Sequence, residues 1–442
     1  MGTIFLGVVA DDFTGASDAA SFLTASGVRT VLVNGTPKQE IQLPEGTGAL
    51  VVALKSRTAP AEKAVQESLE AFAWLKEMGA GQLYLKYCST FDSTEHGNIG
   101  PVVDAVMERY GYDRTVLCPS LPVNGRTVKD GILYVNGVKL EESSMRNHPL
   151  TPMKQSRIKE LMEAQGKYRC VELGETYEMP LLPEPGRCYL VPDYYEEEQG
   201  DRIAEAFGDL PFLTGGSGLV GALGRRYVKA HGTNKAGTCE QGENAQEQNG
   251  AAFEHAEIQF VDGRKPIASE KKALLLAGSC SAMTLQQIAR YQQGGHPSAR
   301  IIPAELLAGS QNPETFWNWV NEQESGALIY SSATPEDIRK SQELGRERVA
   351  AAIENLLAGL AKKAVENGYT RIIVAGGETS GAVTKALAYD TFLIGPSVAP
   401  GVPVMIPLAA PDIRLVLKSG NFGQEDFFER ALRMTEKKNI EK

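Results

Sequence analysis

Short apolar runs alternate with longer stretches of helical period along this chain. Ile4–Ala10, Thr30–Val33, Ala49–Leu54, Gln82–Cys88 and Thr115–Cys118 are bounded by polar turns and read as buried strands. Between most of them lie helical patterns, such as Pro60 to Met78 and Ile99 to Tyr110. Strands alternating with helices predict βαβ units and a largely parallel sheet. One hairpin interrupts the rhythm: Ile132–Val135 and Val138–Leu140 flank Asn136-Gly137, the dipeptide that a tight two-residue turn favours. Arg187–Val191 and Pro211–Leu213 read as further short strands.

From Gly232 to about Glu257 the chain is polar and almost free of large apolar residues. Such a segment buries too little surface to offset its ordering and reads as a mobile linker or insertion. Alternation then resumes with Ala273–Ala277, Ala327–Tyr330, Arg371–Ala375 and Arg414–Leu417 as strands and a long helical pattern from Pro335 to Asn367. At 442 residues two cores are expected. The predicted fold is therefore two α/β domains, 1–231 and 258–442, joined through 232–257, with largely parallel sheets and a cleft between the domains.

The polar positions that break this pattern fall where strands end. In the first half they are Asp11-Asp12, Lys55-Ser56-Arg57, Ser89-Thr90-Phe91-Asp92-Ser93-Thr94 and Asn124-Gly125-Arg126. In a parallel sheet such loops gather on one edge, where α/β proteins bind ligands. An aspartate before a helix is a favoured cap, but one carboxylate suffices for that and Asp11-Asp12 supplies two. Arg57, Lys86 and Arg126 suit a carboxylate ligand, Arg in bidentate fashion, and Asp11, Asp12 and Asp92 suit hydroxyl donors. Together they fit a small polyhydroxy acid. The plainer alternative is that these charges pair with one another on a solvated rim.

The second-half loops carry few charges: Gly278-Ser279-Cys280-Ser281, Gly376-Gly377-Glu378-Thr379-Ser380-Gly381 and Lys418-Ser419-Gly420-Asn421-Phe422-Gly423. The middle one is expected as a loop between the strand Arg371–Ala375 and a helix Ala382–Ala388. Unhindered backbone N–H groups at a helix start suit phosphate, although Gly and Ser also favour ordinary tight turns. Gly216-Ser217-Gly218-Leu219-Val220-Gly221 matches a dinucleotide-binding pattern, but no second strand ending in an acid follows it, so a glycine-rich turn before a helix Leu219–His231 fits better. No G-x-x-x-x-G-K-[ST] phosphate loop is present.

Composition narrows the setting. Hydrophobic content of 42% and charged content of 23% are ordinary for a globular protein, and no apolar run is long enough for a membrane span. The net charge of -10 argues against a nucleic-acid partner. The six scattered cysteines and an N-terminus that enters directly into a strand suggest free thiols and a cytoplasmic setting. The five histidines lack metal-ligand spacing, Cys280 has no histidine near it in sequence, and a homo-oligomer is compatible with everything read so far.

These pieces, in order, resemble the four-carbon acid sugar kinase family: Ala10-Asp11-Asp12-Phe13-Thr14-Gly15-Ala16, Lys55-Ser56-Arg57, Asn124-Gly125-Arg126-Thr127, Gly278-Ser279, Gly376–Gly381 and Lys418–Gly423. The resemblance implies a sugar-acid-binding domain followed by a nucleotide-binding domain, with ATP and Mg²⁺ as cofactors and ATP contacts at Ser279, Gly377, Glu378, Thr379, Ser380 and Gly420. Lys86–Thr94, Gly97–Pro101 and Asn147–Met153 look like the branch acting on 3-oxo-tetronate. Threonate and erythronate kinases are similar but differ at Phe91-Asp92-Ser93-Thr94. The expected reaction is phosphorylation of the C4 hydroxyl, with Asp12 or Asp11 as catalytic group. Arg57, Lys86, Ser89, Thr90, Asp92, Ser93, Asn124 and Arg126 are expected around the substrate. D-Threonate or D-erythronate kinase is the neighbouring reading, and an NAD(P)-dependent oxidoreductase acting on a small hydroxy acid the more distant one.

Overall fold

A computed structural model describes residues 4–148, 151–179, 186–232, 272–324, 326–332 and 344–436. Contacts divide the chain into two compact units, Met1–Ala236 and Gly237–Lys442. Apart from Gly232, the polar stretch 232–257 lies outside the described residues, as do Pro149, Leu150 and the first part of the helical pattern from Pro335.

The N-terminal unit runs β1 (Leu6–Ala10), α1 (Phe13–Ala25), β2 (Thr30–Asn34), β3 (Ala49–Ala53), α2 (Ala61–Glu77), β4 (Gln82–Lys86), α3 (Ile99–Tyr110) and β5 (Arg114–Cys118). There follow β6 (Arg126–Lys129), β7 (Ile132–Val135), β8 (Val138–Lys139), α4 (Ile158–Glu163), β9 (Arg169–Gly174), β10 (Cys188–Pro192), α5 (Glu197–Phe207), β11 (Phe212–Gly215) and α6 (Ser217–His231). Eight strands pair in parallel in the order β2-β3-β1-β4-β11-β5-β10-β9. Every residue of β1 and of β3 is buried, so these strands are apolar throughout rather than alternating, as expected of strands covered on both faces. The small side chains Ala16, Ala19 and Ala20 let α1 lie close on β2 and β3 and against α6. Strands β6, β7 and β8 form a separate antiparallel sheet. Asn136 and Gly137, with φ of 52° and 79°, make the turn between β7 and β8.

The C-terminal unit runs β12 (Ala273–Ala277), α7 (Ala282–Gln293), β13 (Ser298–Arg300), α8 (Pro303–Ala308), α9 (Pro313–Asn321), β14 (Ala327–Tyr330) and α10 (Arg346–Glu366). It continues with β15 (Arg371–Ala375), α11 (Gly377–Leu387), β16 (Thr391–Ala399), β17 (Val402–Pro407), β18 (Arg414–Lys418) and α12 (Phe427–Met434). Within this unit the strand order is β13-β14-β12-β15-β18-β17-β16, with β17 antiparallel to both neighbours and the rest parallel. Leu275, Ile373, Val404, Val416 and Phe428 meet in its core. Each such side chain, fully buried, contributes about 1.5–3 kcal/mol.

Three sequence expectations change, the first being that Gly216–Gly221 is not a turn ahead of a helix at Leu219, because α6 already begins at Ser217. The hairpin β16–β17 was not anticipated from the pattern: it is buried on both faces and shows no alternation. The segment Gly376–Gly381 is not a loop ahead of a helix at Ala382, because α11 already begins at Gly377. Gly, Ser and Thr are weak helix formers, which hid this start; burial of Thr379, Ser380, Val383 and Thr384 overrides their propensity.

Candidate active site

In the N-terminal unit β1 lies between β3 and β4; the crossover from β1 runs to β2 on one side, and the crossover from β3 carries the chain to β4 on the other. This is the kind of switch point at which strand-end loops part and leave room for a ligand. The three loops are tied by their backbones. Asp11 N–H donates to the Lys86 carbonyl at 3.1 Å, and the Asp11 carbonyl accepts from Ser56 and Arg57 N–H at 3.0 and 3.2 Å.

Arg57 stands at the centre. Its Nε and Nη2 donate to Asp11 Oδ2 and Oδ1 at 2.9 and 2.8 Å, a bidentate pair. Its Nη1 lies 3.1 Å from Asp12 Oδ2 and 3.8 Å from Asp92 Oδ2. Three carboxylates thus share one guanidinium. Burial opposes the Arg57 charge, but the Asp11 and then the Asp12 carboxylates outweigh it and hold Arg57 firmly protonated. Asp12 also caps α1, its Oδ1 accepting from Gly15 N–H at 2.6 Å. Asp12 therefore both caps and pairs, whereas Asp11 gives both of its oxygens to Arg57.

Asp12 holds a proton more readily than an ordinary aspartate. Burial raises its pKa and the adjacent Asp11 charge raises it further; Arg57, Lys86 and the Gly15 N–H oppose this without cancelling it. A third of the Asp12 side chain, 32%, still reaches solvent. It is thus a carboxylate crowded by protein yet open on one side.

Asp92 is positioned at a cost. Phe91 and Asp92 both have positive φ, 65° and 45°, which costs side-chain-bearing residues about 1–3 kcal/mol each. The Phe91 ring, buried edge-on against Tyr87 at 5.6 Å, anchors the bend. Thr90 Oγ1 donates to Asp92 Oδ1 at 2.7 Å. Cys88 Sγ lies 2.9 Å from the same hydroxyl, and burial pushes its thiol up to about 11, so it stays protonated at neutral pH. Ser93 donates to Gln165 Oε1 at 2.8 Å, and Ser89 sits half-buried beside it in the loop. A cavity of about 20 Å³, room for roughly one water, lies behind Asp11, Arg57, Asp92 and Ser93.

Lys86 is 3% exposed. Its Nζ donates to the Tyr87 carbonyl at 2.9 Å and lies 3.9 Å from Asp18 Oδ2, so its charge is met inside the protein. Asp18 accepts a short hydrogen bond from Ser217 at the start of α6. Asn124 and Arg126 lie at the β6 sheet, where the Arg126 guanidinium donates to the Asn124 carbonyl. None of the described hydrogen bonds or ion pairs joins these two to the Arg57 cluster.

One residue of this edge escaped sequence reasoning. Asn98 Nδ2 donates to the Ser56, Ala59 and Arg57 carbonyls at 2.7, 2.8 and 3.2 Å and so holds the loop that carries Arg57. An asparagine just before a helix looks like a cap, yet Asn98 makes no side-chain cap bond to α3. Gly216 and Gly218 are explained without a ligand. A Cβ on either would come within 2.5 and 2.6 Å of the Pro119 and Ser120 carbonyl oxygens, so these glycines permit close packing.

In the C-terminal unit β12 likewise lies between two strands, β14 and β15; the chain crosses from β12 to β13 on one side and from β14 to β15 on the other. Gly278 and Ser279 N–H donate to the Ala375 carbonyl at 3.0 and 3.3 Å, and Gly376 N–H donates to the Lys418 carbonyl at 2.9 Å. The ends of β12, β15 and β18 therefore touch. A Cβ on Gly278 would lie 2.1 Å from Thr379 Oγ1, and one on Gly420 2.6 Å from Ser279 Oγ. Gly377 is different, since a Cβ there meets nothing within 4 Å. The first turn of α11 thus opens outward with the N–H groups of Gly377, Glu378 and Thr379, and the Ser380 hydroxyl beneath is buried without a partner. This edge brings together Ser279, Gly377, Glu378, Thr379, Ser380 and Gly420, an arrangement suited to an anion.

Comparison with known proteins assigns the two halves separately. A model described as a sugar-binding N-terminal domain matches residues 6–223, and one described as a nucleotide-binding C-terminal domain matches residues 274–428. The chain is 42% identical to the 3-oxo-tetronate kinase of Brucella melitensis, covering 96% of this chain and 94% of that protein. It is 41% identical to the 3-oxo-tetronate kinase of Salmonella typhimurium, covering 97% and 98%. A solved structure from Salmonella typhimurium matches with a TM-score of 0.82 at 40% identity, over 98% of this chain and 99% of that one. One from Haemophilus influenzae matches with a TM-score of 0.78 at 38% identity, over 97% and 100%.

Proposed function

The chain belongs to the four-carbon acid sugar kinase family, and on that premise we propose that it transfers the γ-phosphoryl group of ATP to the C4 hydroxyl of a 3-oxo-tetronate, giving the 4-phosphate. The observation that carries this reading is a match to 3-oxo-tetronate kinases over 96–97% of the chain, since a match to one domain alone would speak for only half of the reaction.

Phosphoryl transfer depends on alignment and charge placement more than on covalent help from the protein. In the proposed reaction the C4 oxygen attacks the γ-phosphorus, the bond to the β–γ bridging oxygen breaks, and ADP leaves. Asp12 takes the hydroxyl proton. Its raised pKa makes it a better proton acceptor than an ordinary surface aspartate, and its partial exposure lets a hydroxyl approach. Asp11 keeps Arg57 in place, and Arg57 in turn orients Asp12. Arg57 and Arg126, both half-buried, are the cations offered to the acid's carboxylate, while Lys86 acts from beneath the surface. Thr90, Asp92, Ser89, Ser93 and Asn124 would line the substrate. The α11 N–H groups with Ser279, Ser380 and Gly420 would receive the nucleotide phosphates.

Mg²⁺ is expected to travel with the nucleotide. Among the described residues no group of three or more His, Cys, Asp or Glu is placed to hold a metal. Phosphate and water oxygens would then supply most of its shell, the usual habit of this ion, with Asp11 or Asp12 as the protein contact.

Coupled ADP release measured with a panel of four-carbon acids tests the proposal. Turnover is expected with a 3-oxo-tetronate. Turnover only with D-threonate or D-erythronate would move the protein to the neighbouring branch, and no ADP above the ATP-only background would refute the kinase reading. Thermal stabilisation by NAD(P) but not by ATP would favour an oxidoreductase. Phosphorus–carbon coupling in the product identifies the phosphorylated carbon. Among the described residues no helix is long and apolar enough to cross a membrane.

A further inference from the structure

Among the described residues two lysines end parallel strands, and their surroundings differ. Lys86 ends β4, is buried, and has the Asp18 carboxylate at 3.9 Å. Lys418 ends β18 and is 1% exposed, yet no described carboxylate forms an ion pair with it. Its Nζ donates to the Gly420 carbonyl at 2.7 Å, to Thr284 Oγ1 at 2.9 Å and to the Ser419 carbonyl at 3.3 Å. The Thr284 hydroxyl also donates to the Gly420 carbonyl, at 2.9 Å. A lysine has three donors, and these contacts use all of them.

A buried charge without an opposite charge is costly, and burial pushes the Lys418 ammonium down to about 8. The charge lies 2.7 Å from the carbonyl of Gly420, a residue packed against Ser279 within the edge assigned to nucleotide phosphates. We propose that Lys418 is a positioning residue for the nucleotide: it touches no ligand atom, but it fixes Gly420 through two oxygens and supplies the counter-charge for the phosphates from below the loop. This rests on the nucleotide assignment above and deepens it. The anion missing from the interior arrives with the ligand.

The role makes a demand that simple structural support does not: the effect must scale with ligand charge. Lys418→Met keeps an unbranched apolar stem and removes the ammonium. By calorimetric titration, ADP affinity is expected to fall by about tenfold or more, the scale of a charge-assisted interaction in a partly buried site, while adenosine affinity stays within about twofold. Equal loss for ADP and adenosine, or no loss, overturns the proposal. If the unsubstituted protein fails to bind ADP at all, the nucleotide assignment fails instead.

A second measurement needs no change at Lys418. Near pH 8.5 the phosphates of ADP are fully ionised, so their arrival should draw a proton onto Lys418. The groups facing its ammonium from α7 and α12 are Thr284 and the Phe427 ring, which do not titrate. Charged or titratable groups on neighbouring segments are Cys280 before α7, Arg290 on α7, Glu378 on α11, and Glu425, Asp426 and Glu429 at α12. The measurement is made with Cys280→Ser, which removes the one thiol among them. Titration in buffers of different ionisation enthalpy should show net proton uptake; no uptake, or release, overturns the proposal even if Lys418→Met does not fold.

Discussion

Replacing Asp12 with asparagine separates its chemical role from its structural one. Asparagine caps helices as well as aspartate does, so the bond from Gly15 N–H should persist at a cost within about 0.5 kcal/mol. Arg57 keeps its bidentate hold on Asp11. The lost contact is the 3.1 Å pair with Arg57 Nη1, between side chains 23% and 32% exposed, worth about 0.2–1 kcal/mol at such exposure. Against it stands the removal of a charge that its surroundings disfavour. A carboxyl whose folded pKa is raised contributes stability below its unfolded value of about 3.8 and loses that contribution as pH rises through the folded pKa. Asp12→Asn is therefore expected to match or exceed the unsubstituted protein in Tm at pH 7, with the difference growing from pH 4 upward. Its kcat should fall by about 10²–10⁴, the usual contribution of a positioned base, with ADP affinity changed less than about threefold. In the unsubstituted enzyme kcat/KM should decline as pH falls through the raised Asp12 pKa, because the base must be ionised to accept a proton. Initial rates by coupled ADP release, with melting curves across pH, test all of this. A kcat within about fivefold of the unsubstituted enzyme would remove Asp12 from the chemistry, and a large fall in Tm would make it a structural residue.

Gly377→Val places a side chain in space that no protein atom fills, so nucleotide affinity should fall by about tenfold or more with little change in Tm; unchanged ADP affinity by calorimetry would place the phosphates elsewhere. Asn98→Ala frees three carbonyls of the Arg57 loop and should cost about 1–3 kcal/mol, read as a lower Tm and a raised KM for the sugar acid, whereas an unchanged KM would leave Asn98 a purely structural residue. Cys280 is exposed beside Ser279, whereas Cys118, Cys170 and Cys188 are buried. Among the described cysteines, iodoacetamide followed by mass spectrometry should label Cys280 first, ADP should protect it, and equal labelling with and without ADP would argue against a nucleotide at this loop.

The strands and their polar ends were legible because fully buried parallel strands must be apolar throughout and must stop where charge begins. Asp11-Asp12, Arg57 and Asp92 could thus be named as strand-end candidates from the chain alone. Their division of labour could not, because it depends on which oxygen meets which nitrogen across loops 46 residues apart in sequence. Lys86 and Arg57 looked equally available as cations; folding buries one and surrounds the other with three carboxylates. Asn98 was hidden behind its resemblance to a cap, and the start of α11 behind the poor helix propensity of Gly, Ser and Thr.

By itself, then, the sequence determined the alternation of strand and helix, the two-unit organisation and the residue types that stand at each strand edge. These depend on local periodicity and residue type, which a linear chain displays directly, while the family was legible through motifs that stand in the family's order. Tertiary structure alone decided that Asp12 is both cap and raised-pKa carboxylate, that Arg57 is shared, and that Lys418 lies buried without an acidic partner. Burial and opposite-charge contacts arise between residues distant along the chain, and those contacts set proton affinity and the cost of a charge.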